Sequence, residues 1–255
     1  MKKIIYISTL FCFLLSSCSD YFEYDNFDEP DSGIEGTVVD KKTNEPLSTE
    51  TGNSYKIEYY ELSWEEAGNS NTQSRFFWGK GDGTFKNTKI FAGKYRITLK
   101  EGAFHAPEPT EVVLEKNRLT TLNYSIVPFA RVKIDELKLE GDKQNNLVIT
   151  YTVEDTENEI NKDGVDEDLY LLSEAQVFIS RKSPNVGVSN TETQFTLRAK
   201  KDLSDYDPGV PKTYIEKNVT NLPAGKYWVR IGARTENPQK RYNFTAVQEF
   251  TVPEL

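Results

Sequence analysis

The stretch Ile34-Glu35-Gly36-Thr37-Val38-Val39-Asp40 alternates apolar and polar side chains, and a polar run over 41–45 and then Pro46-Leu47 follow it. Successive side chains of a strand point to opposite faces of a sheet, so this alternation predicts a half-buried β-strand. A polar run that ends at a proline predicts a turn, after which a second strand begins. The chain after residue 32 is therefore predicted to begin with a strand, a turn and the start of a second strand.

Short strands of the same kind continue along the chain, separated by turn residues. The predicted strands are 55–61, 75–78, 84–90, 95–99, 111–114 and 120–127, then 132–139, 146–153, 174–180, 193–198, 213–219, 226–233 and 245–252. Asp82-Gly83 is a tight-turn dipeptide between two of them. No long segment has the 3.6-residue period of an amphipathic helix. The sequence therefore predicts an all-β chain with two β-sandwich domains, over 33–128 and 129–255.

One motif occurs in both predicted domains. Ala92-Gly93-Lys94-Tyr95-Arg96-Ile97 recurs as Ala224-Gly225-Lys226-Tyr227-Trp228-Val229. Glycine relaxes the backbone at a corner, and the tyrosine that follows can bury its ring while its hydroxyl bonds a nearby loop. We interpret the repeat as shared sandwich architecture and not as a duplicated binding site.

The opening strand and turn resemble a known class of domain. Gly36, Val38 and Asp40, followed by polar residues and Pro46-Leu47, resemble the start of carboxypeptidase regulatory-like or transthyretin-like domains. That resemblance implies a small β-sandwich and no peptidase activity. The seven predicted strands of the second half suggest an immunoglobulin-like or fibronectin type III-like sandwich.

The first residues have the features of an export signal. Lys2-Lys3 precede a mostly apolar run over 4–15, which is shorter than the roughly 20 residues that a membrane-spanning helix needs. Leu15-Ser16-Ser17-Cys18 resembles the lipobox of bacterial lipoproteins. That resemblance implies removal of a signal peptide over 1–17 and lipidation of Cys18, with palmitate among the acyl chains. The alternative is ordinary cleavage near Ser17, which leaves Cys18 free.

The segment 18–32 predicts an acidic tether. It contains six acidic residues and no basic one, and like charges extend a linker. Its opening after Cys18 is similar to the acidic export signals of Bacteroidetes surface lipoproteins. That similarity implies an outer-membrane lipoprotein that faces the cell surface.

Charge and cysteine content exclude several classes of partner. The chain has 31 basic and 40 acidic residues; loss of 1–17 removes two lysines, so 29 minus 40 gives a net charge of -11. Such a surface repels phosphate backbones, which excludes nucleic acid as a partner. No basic patch stands out, so the membrane link would be the lipid anchor alone. With Cys12 removed and Cys18 lipidated, no thiol is left for a disulfide.

Catalytic motifs are missing from the sequence. There is no Gly-x-Ser-x-Gly elbow and no glycine-rich phosphate loop. A triad or a zinc site would have to use His105, the single histidine of the chain. Carboxylate pairs for glycoside hydrolysis stay open, because 40 acids offer many pairs. We expect a protein that is not an enzyme and that needs no cofactor.

Aromatic residues provide the positive signal for binding. Tyr59-Tyr60 and Phe76-Phe77-Trp78 lie in predicted strands, so their rings alternate between faces and cannot all enter one core. An exposed ring can stack on the C–H face of a sugar. The candidate glycan-binding residues are Trp64, Tyr60, Trp78, Phe77, Phe104 and His105. Trp64 at a loop mouth is the preferred member, and the alternative for the group is core or interdomain packing.

A second candidate is a calcium loop. Over 159–168, oxygen-bearing side chains alternate around Gly164, as in loops that wrap a hard cation. The candidate ligands are Asn161, Asp163, Asp166 and Asp168. The match is partial, because Glu159 takes the first position and Tyr170 the twelfth, so a solvated acidic loop is the alternative.

The whole pattern resembles an uncharacterised family of two-domain Bacteroidetes lipoproteins encoded near SusC/SusD-type nutrient uptake systems. The residues that carry the resemblance are the lipobox, 36–40, Asp82-Gly83-Thr84-Phe85-Lys86-Asn87-Thr88 and Phe91-Ala92-Gly93-Lys94-Tyr95. It implies a non-catalytic surface protein that binds a polysaccharide or oligosaccharide, or assists a SusC/SusD-type pair. It transfers no binding residue. The alternative is a structural or assembly module that docks a protein partner and has no small ligand.

Overall fold

The computed structural model of the protein describes residues 29–254. The predicted signal peptide, Cys18 and most of the predicted tether lie outside the described residues. None of the helices within 29–254 is long and apolar enough to cross a membrane.

The N-terminal sandwich consists of strands β1 to β9 in two sheets. These are β1 (Ser32–Asp40), β2 (Lys56–Glu61), β3 (Arg75–Trp78), β4 (Thr84–Ile90), β5 (Gly93–Lys100), β6 (Phe104–His105), β7 (Thr110–Leu114), β8 (Leu119–Thr121) and β9 (Tyr124–Pro128). The first sheet has the order β4-β1-β9-β6, with β8 also paired to β1, and the second has the order β3-β2-β5-β7. A helical turn, α1 (Leu62–Glu66), follows β2 directly.

Strand β1 lies inside the first sheet and coincides with the alternating stretch. It pairs antiparallel with β4 and parallel with β8 and β9. Ile34 and Val38 are fully buried and point into the core between the sheets. A Cβ on Gly36 would lie 1.6 Å from the carbonyl oxygen of Leu122. Only glycine therefore lets β1 approach the segment between β8 and β9 this closely.

The C-terminal sandwich consists of strands β10 to β17. These are β10 (Ala130–Glu140), β11 (Asn146–Asp155), β12 (Leu172–Ser180), β13 (Lys200–Asp202), β14 (Lys212–Val219), β15 (Gly225–Thr235), β16 (Asn243–Phe244) and β17 (Gln248–Val252). One sheet has the order β10-β11-β14, and the other has the order β13-β12-β15-β16, with β17 also paired to β15. Two 3-10 turns (Glu157–Glu159 and Glu167–Leu169) and the helix α2 (Thr193–Thr196) lie in the connections.

The predicted all-β fold of packed sheets is confirmed, but the predicted strand 120–127 is divided into β8 and β9, the predicted strand 245–252 is shortened to β17, and one element is wrong. The segment 193–198 is not a strand, because the amide of Thr196 donates to the Glu192 carbonyl and that of Leu197 to the Thr193 carbonyl, which closes the helical turn α2. Phe195 is buried in the core from this turn. The edge position of the sheet is taken by β13 instead.

The repeated motif buries its tyrosine in each sandwich. Tyr95 lies in the N-terminal core and Tyr227 in the C-terminal core. The hydroxyl of Tyr227 donates to the carbonyl oxygen of Pro223 at 2.8 Å, which closes the corner before β15. Gly225 has φ of 138°, a conformation that side chains other than glycine rarely adopt. The motif therefore serves the architecture of both sandwiches.

A single residue, Phe129, separates the last strand of one sandwich from the first strand of the next. Phe129 is buried, and its amide donates to the carbonyl oxygen of Ala103 at 3.1 Å. The Asn243 side chain donates to the same carbonyl at 2.9 Å and accepts from the amide of Ala130 at 3.0 Å. These contacts fix the connection between the two sandwiches, so it is not a flexible linker.

Arg230 of β15 reaches from the C-terminal sandwich into the N-terminal one. Its side chain is 3% exposed. Within its own sandwich it donates to the carbonyl oxygens of Thr245 at 3.0 Å and Val186 at 3.1 Å. Across the junction it donates to the hydroxyl of Ser48 at 2.7 Å and to the carbonyl oxygen of Thr49 at 3.3 Å. Burial lowers the pKa of Arg230 to about 10, so it stays charged at neutral pH.

A second arginine joins the sandwiches nearer the surface. Arg131 of β10 donates to both carboxylate oxygens of Asp40 in β1, one of them at 2.8 Å, and also to Glu159. Burial opposes ionisation of Asp40, but the hydrogen bonds from Arg131 outweigh it and lower the pKa of Asp40. The paired charges therefore reinforce the orientation that Arg230 sets.

His105 packs at the same junction. Its ring meets the ring of Phe129 edge to face, with 5.0 Å between centroids. The Nε2 atom is buried and has no hydrogen-bond partner among residues 29–254. Burial lowers the pKa of His105 to about 4.

We expect Arg230→Met to lower the free energy of unfolding by about 3 kcal/mol, because it leaves several buried acceptors without a donor. Urea denaturation at neutral pH measures the change. Arg181→Met is the matched control, since Arg181 is exposed and its Cζ atom lies 5.9 Å from the ring centroid of Tyr227. It should cost about 1 kcal/mol or less. Equal losses for the two variants would contradict the role of Arg230.

His105 should stay neutral well below the usual titration range of histidine. As the sole histidine, it gives one imidazole signal, whose midpoint in a proton NMR titration should lie near pH 4. Since the unfolded chain takes up this proton at about pH 6.5, the stability contributed by the neutral ring is complete above that pH and is lost as the pH falls toward the folded pKa. A midpoint near 6.5 in the folded protein would refute this.

Candidate functional site

The outer face of the β3-β2-β5-β7 sheet, turned away from the core, carries Phe76, the most exposed aromatic side chain on any strand described. Alternation along β3 places Phe76 and Trp78 on this face, and Phe76 is 50% exposed. Across the strand pair, Trp78 lies opposite Lys56 and Phe76 opposite Glu58. We call Phe76 and Trp78 the β3 platform.

The two rings of the β3 platform stand perpendicular to each other. Their centroids are 5.8 Å apart and the planes make an angle of 84°. The Nζ atom of Lys56 lies 4.5 Å from the centroid of Phe76 and 5.3 Å from that of Trp78. Lys56 also forms a 2.6 Å ion pair with Glu101. Cation–π contacts and this ion pair fix the lysine above the rings.

The C-terminal sandwich contributes one side chain to this surface. Arg241, in the loop between β15 and β16, places its Cζ atom 5.8 Å from the ring centroid of Trp78. The Nε atom of Arg241 is buried without a hydrogen-bond partner among the described residues. Within the same range no carboxylate forms a salt bridge with this arginine.

Most other charges around the β3 platform are paired or buried. Lys100 forms a 2.6 Å ion pair with Glu58 on the outer face. Glu50 lies below the surface at the junction, where the amide of Val188 donates to it at 3.4 Å. Burial raises the pKa of Glu50, although the charges of Arg230 and Arg241 oppose that rise. The site thus combines exposed rings, neutralised ion pairs and one arginine without a carboxylate partner.

Two of the residues predicted from the sequence lie on the solvent side, away from these rings. Tyr60 is half-buried on the outer face opposite Arg96 of β5. Trp64 lies on α1 and is 50% exposed. Among residues 29–254, no ring contact joins either of them to the β3 platform. Trp78 is the predicted residue that the structure places in the platform itself.

Three other predicted residues are corrected by the structure. Phe77 points inward and packs against Tyr59 and Phe85, with 6.2 and 6.4 Å between ring centroids. Phe104 is 4% exposed and packs edge to face on Tyr55 in the core. His105 packs on Phe129 at the domain junction, as described above. None of these rings presents a face to solvent on which a sugar could stack.

The sequence prediction missed Phe76, Lys56 and Arg241. Phe76 had a signal, because period-2 alternation places it on the same face as Trp78 and opposite to Phe77. Lys56 becomes visible only when the register of β2 and β3 is known. Arg241 had no signal in the sequence, since its position depends on how the two sandwiches pack.

The residues predicted to bind calcium lie in an acidic loop, where two of their side chains accept hydrogen bonds from backbone amides. The side chain of Asn161 accepts from the amide of Asp163, and that of Asp166 accepts from the amide of Asp168, each at 3.1 Å. Among residues 29–254, no group of three or more His, Cys, Asp or Glu side chains is gathered as a metal site would require. The calcium site stays a prediction from the sequence pattern.

Two shallow clefts lie on the C-terminal sandwich. Their volumes are about 280 and 270 Å³. Their lining residues are Lys143, Asn145, Gln194, Phe195, Arg198, Thr220, Asn221, Leu222, Pro223, Ala224, Val252 and Pro253. Neither cleft has a carboxylate or a histidine in its described lining, so neither assembles an acid–base pair.

Comparison with known proteins gives a domain family and a shared fold. Residues 32–126 match the family described as "Protein of unknown function (DUF3823) N-terminal domain". A solved DUF3823 family protein from Bacteroides uniformis ATCC 8492 is similar, with 22% identity and a TM-score of 0.67, over 88% of this chain and 100% of that one. None of the curated proteins compared with the chain matches it.

Two further solved structures are similar over nearly their whole length. One, described as a "putative carbohydrate binding protein" from Bacteroides uniformis ATCC 8492, has 21% identity and a TM-score of 0.62, over 87% of this chain and 99% of that one. The other, a DUF3823 family protein from Parabacteroides merdae ATCC 43184, has 18% identity and a TM-score of 0.59, over 88% and 100%. These likenesses show a common fold, and the match to the DUF3823 N-terminal domain model is confined to residues 32–126.

Proposed function

We propose that this protein is a non-catalytic binding protein whose β3 platform stacks on carbohydrate. The observation that carries the proposal is the exposed Phe76 ring beside Trp78 on the outer face of an edge strand. Aromatic faces match the C–H faces of sugar rings, and nearby charged groups bond the hydroxyls. A few polar groups around apolar rings are the usual composition of a site for small ligands.

The charges on the outer face favour a sugar over a protein partner. Exposed protein-docking patches are broad and apolar. Here the ion pairs of Lys56 with Glu101 and of Lys100 with Glu58 interrupt the apolar surface. A solved structure of similar fold described as a "putative carbohydrate binding protein" supports the same choice.

The linings of the two clefts in the described part of the chain support binding without turnover. The clefts described above lie away from the rings and lack acid–base pairs in their described linings. The β3 platform itself is an open surface, on which a polymer can lie across the strand without entering a pocket. We therefore propose capture of a polysaccharide or oligosaccharide, not its cleavage.

We propose further that a lipid on Cys18 anchors the protein at the outer membrane, facing outward, where it assists a SusC/SusD-type pair. The lipobox and the family resemblance of the sequence support this part of the proposal. Cys18→Ala should abolish metabolic labelling with a palmitate analogue and should release the protein from the membrane fraction. Cys12→Ala is the control, since Cys12 lies in the segment to be removed, and it should keep the label. Retained labelling in Cys18→Ala would contradict the anchor.

The binding proposal is tested with soluble protein that begins at residue 19 and a panel of plant and host polysaccharides. We expect at least one to bind, and we expect Phe76→Ala and Trp78→Ala each to weaken that binding by about tenfold or more, as for a central contact. Affinity electrophoresis or calorimetry measures the loss. Phe91→Ala is the control, because Phe91 is also an exposed ring, at 40%, but lies off the platform.

Trp64→Ala separates the two candidate positions on this domain. If Trp64→Ala abolishes binding and the platform variants do not, the site belongs to α1 and the β3 platform assignment is wrong. If no polysaccharide of the panel binds, the capture function fails for this protein.

A further inference from the structure

Arg241 is an unusual charge in this molecule. The chain is acidic, with a formal net charge of -9, and such a surface repels anions. Yet beside Trp78 the guanidinium of Arg241 has no salt-bridge partner among residues 29–254. The two lysines next to it on the outer face, Lys56 and Lys100, are each neutralised by a glutamate.

The backbone of Arg241 is fixed, which makes its position a built feature of the junction. Its amide donates to the side-chain oxygen of Asn237 at 2.8 Å, and its carbonyl oxygen accepts from the Asn237 side chain at 3.1 Å. Asn237 itself is fully buried. Because the backbone is held, only the side chain of Arg241 loses conformational freedom when a ligand binds.

The side chain of Arg241 is half-buried and donates no hydrogen bond to residues 29–254. Its Nε atom is buried, so the Nη atoms are the donors left for a ligand. The planar guanidinium binds carboxylate and sulfate groups through two parallel hydrogen bonds, which a lysine cannot do. Glu50 compensates part of the charge, but its carboxylate forms no salt bridge with either neighbouring arginine in the described structure.

We infer that the ligand of the β3 platform is an acidic carbohydrate, whose sugar ring rests on Trp78 while its carboxylate or sulfate group binds Arg241. The inference rests on the proposed carbohydrate-binding function and specifies its substrate class. The ring of Trp78 and the cation of Arg241 are 5.8 Å apart, so one charged sugar unit can contact both. The ligand therefore bridges the two sandwiches.

The test compares probes that differ only in charge. Polygalacturonic acid and its methyl ester share a backbone and differ in carboxylates, and dextran sulfate and dextran differ in sulfates. We expect soluble protein from residue 19 to bind at least one acidic member about tenfold or more tightly than its neutral counterpart. The carboxylate and sulfate pairs show which anion is preferred. Raising the NaCl concentration to about 0.5 M should weaken the acidic interaction, since salt screens exposed charges.

Variants of Arg241 connect the preference to this residue. Arg241→Gln should remove most of the preference for the acidic probe. Arg241→Lys should retain part of it, because lysine keeps the charge but cannot form two parallel hydrogen bonds to one anion. Arg181→Gln is the matched control, since it removes the same charge from an exposed arginine that also lies near a ring. Thermal unfolding of each variant confirms that the fold is retained.

The outcomes separate this inference from the proposed function. If a neutral polysaccharide binds through Trp78 and its acidic counterpart binds no better, the acidic ligand is refuted and carbohydrate capture stands. If Arg181→Gln reduces acidic binding as much as Arg241→Gln, the effect is general charge and the inference fails. If none of the probes binds and the wider panel is also negative, both are overturned.

Discussion

The buried guanidinium of Arg230 is the interaction on which the arrangement of the molecule depends. It satisfies acceptors in its own sandwich at Thr245 and Val186, and acceptors in the other sandwich at Ser48 and Thr49. A charge at 3% exposure is tolerated only where such acceptors surround it. Because β15 carries Arg230 and leads directly into the loop with Arg241, the contact that joins the sandwiches also places Arg241 beside Trp78.

The polar groups of this junction differ in burial and in their charged neighbours. Asp40 and Arg131 are near the surface and form a short, mutually favourable pair. Burial against Phe129 lowers the pKa of His105, and its Nε2 atom has no hydrogen-bond partner within 29–254. Glu50 lies between these extremes, with burial raising its pKa and two arginines opposing that rise. Each of these groups therefore has a pKa set by its own balance of burial and charged neighbours.

Much of the fold was predictable from local patterns, because each strand has its own alternation and its own turn residues. Gly83 adopts φ of 79° and the Asp82 side chain accepts from the amide of Thr84, as expected for the predicted turn. The segment 193–198 failed because a short run with threonine and phenylalanine fits either a strand or a helical turn, and tertiary packing decided for α2. Within the site, Trp78 was predicted, and strand alternation already placed Phe76 on the same face as Trp78. The register of β2 and β3 brings in Lys56, and domain packing alone brings in Arg241.

This dependence on packing bears on where the function resides. The matched family domain covers 32–126 and contains the rings of the β3 platform and their lysine. Residue 241 lies outside it, in a loop whose position comes from Arg230, Asn243 and the one-residue connection at Phe129. An N-terminal sandwich alone would keep an aromatic surface whose nearby lysines are already paired with acids. Recognition of a charged ligand would therefore require both sandwiches. Their junction would hold the β3 platform of one sandwich beside Arg241 of the other, so that the two form one site.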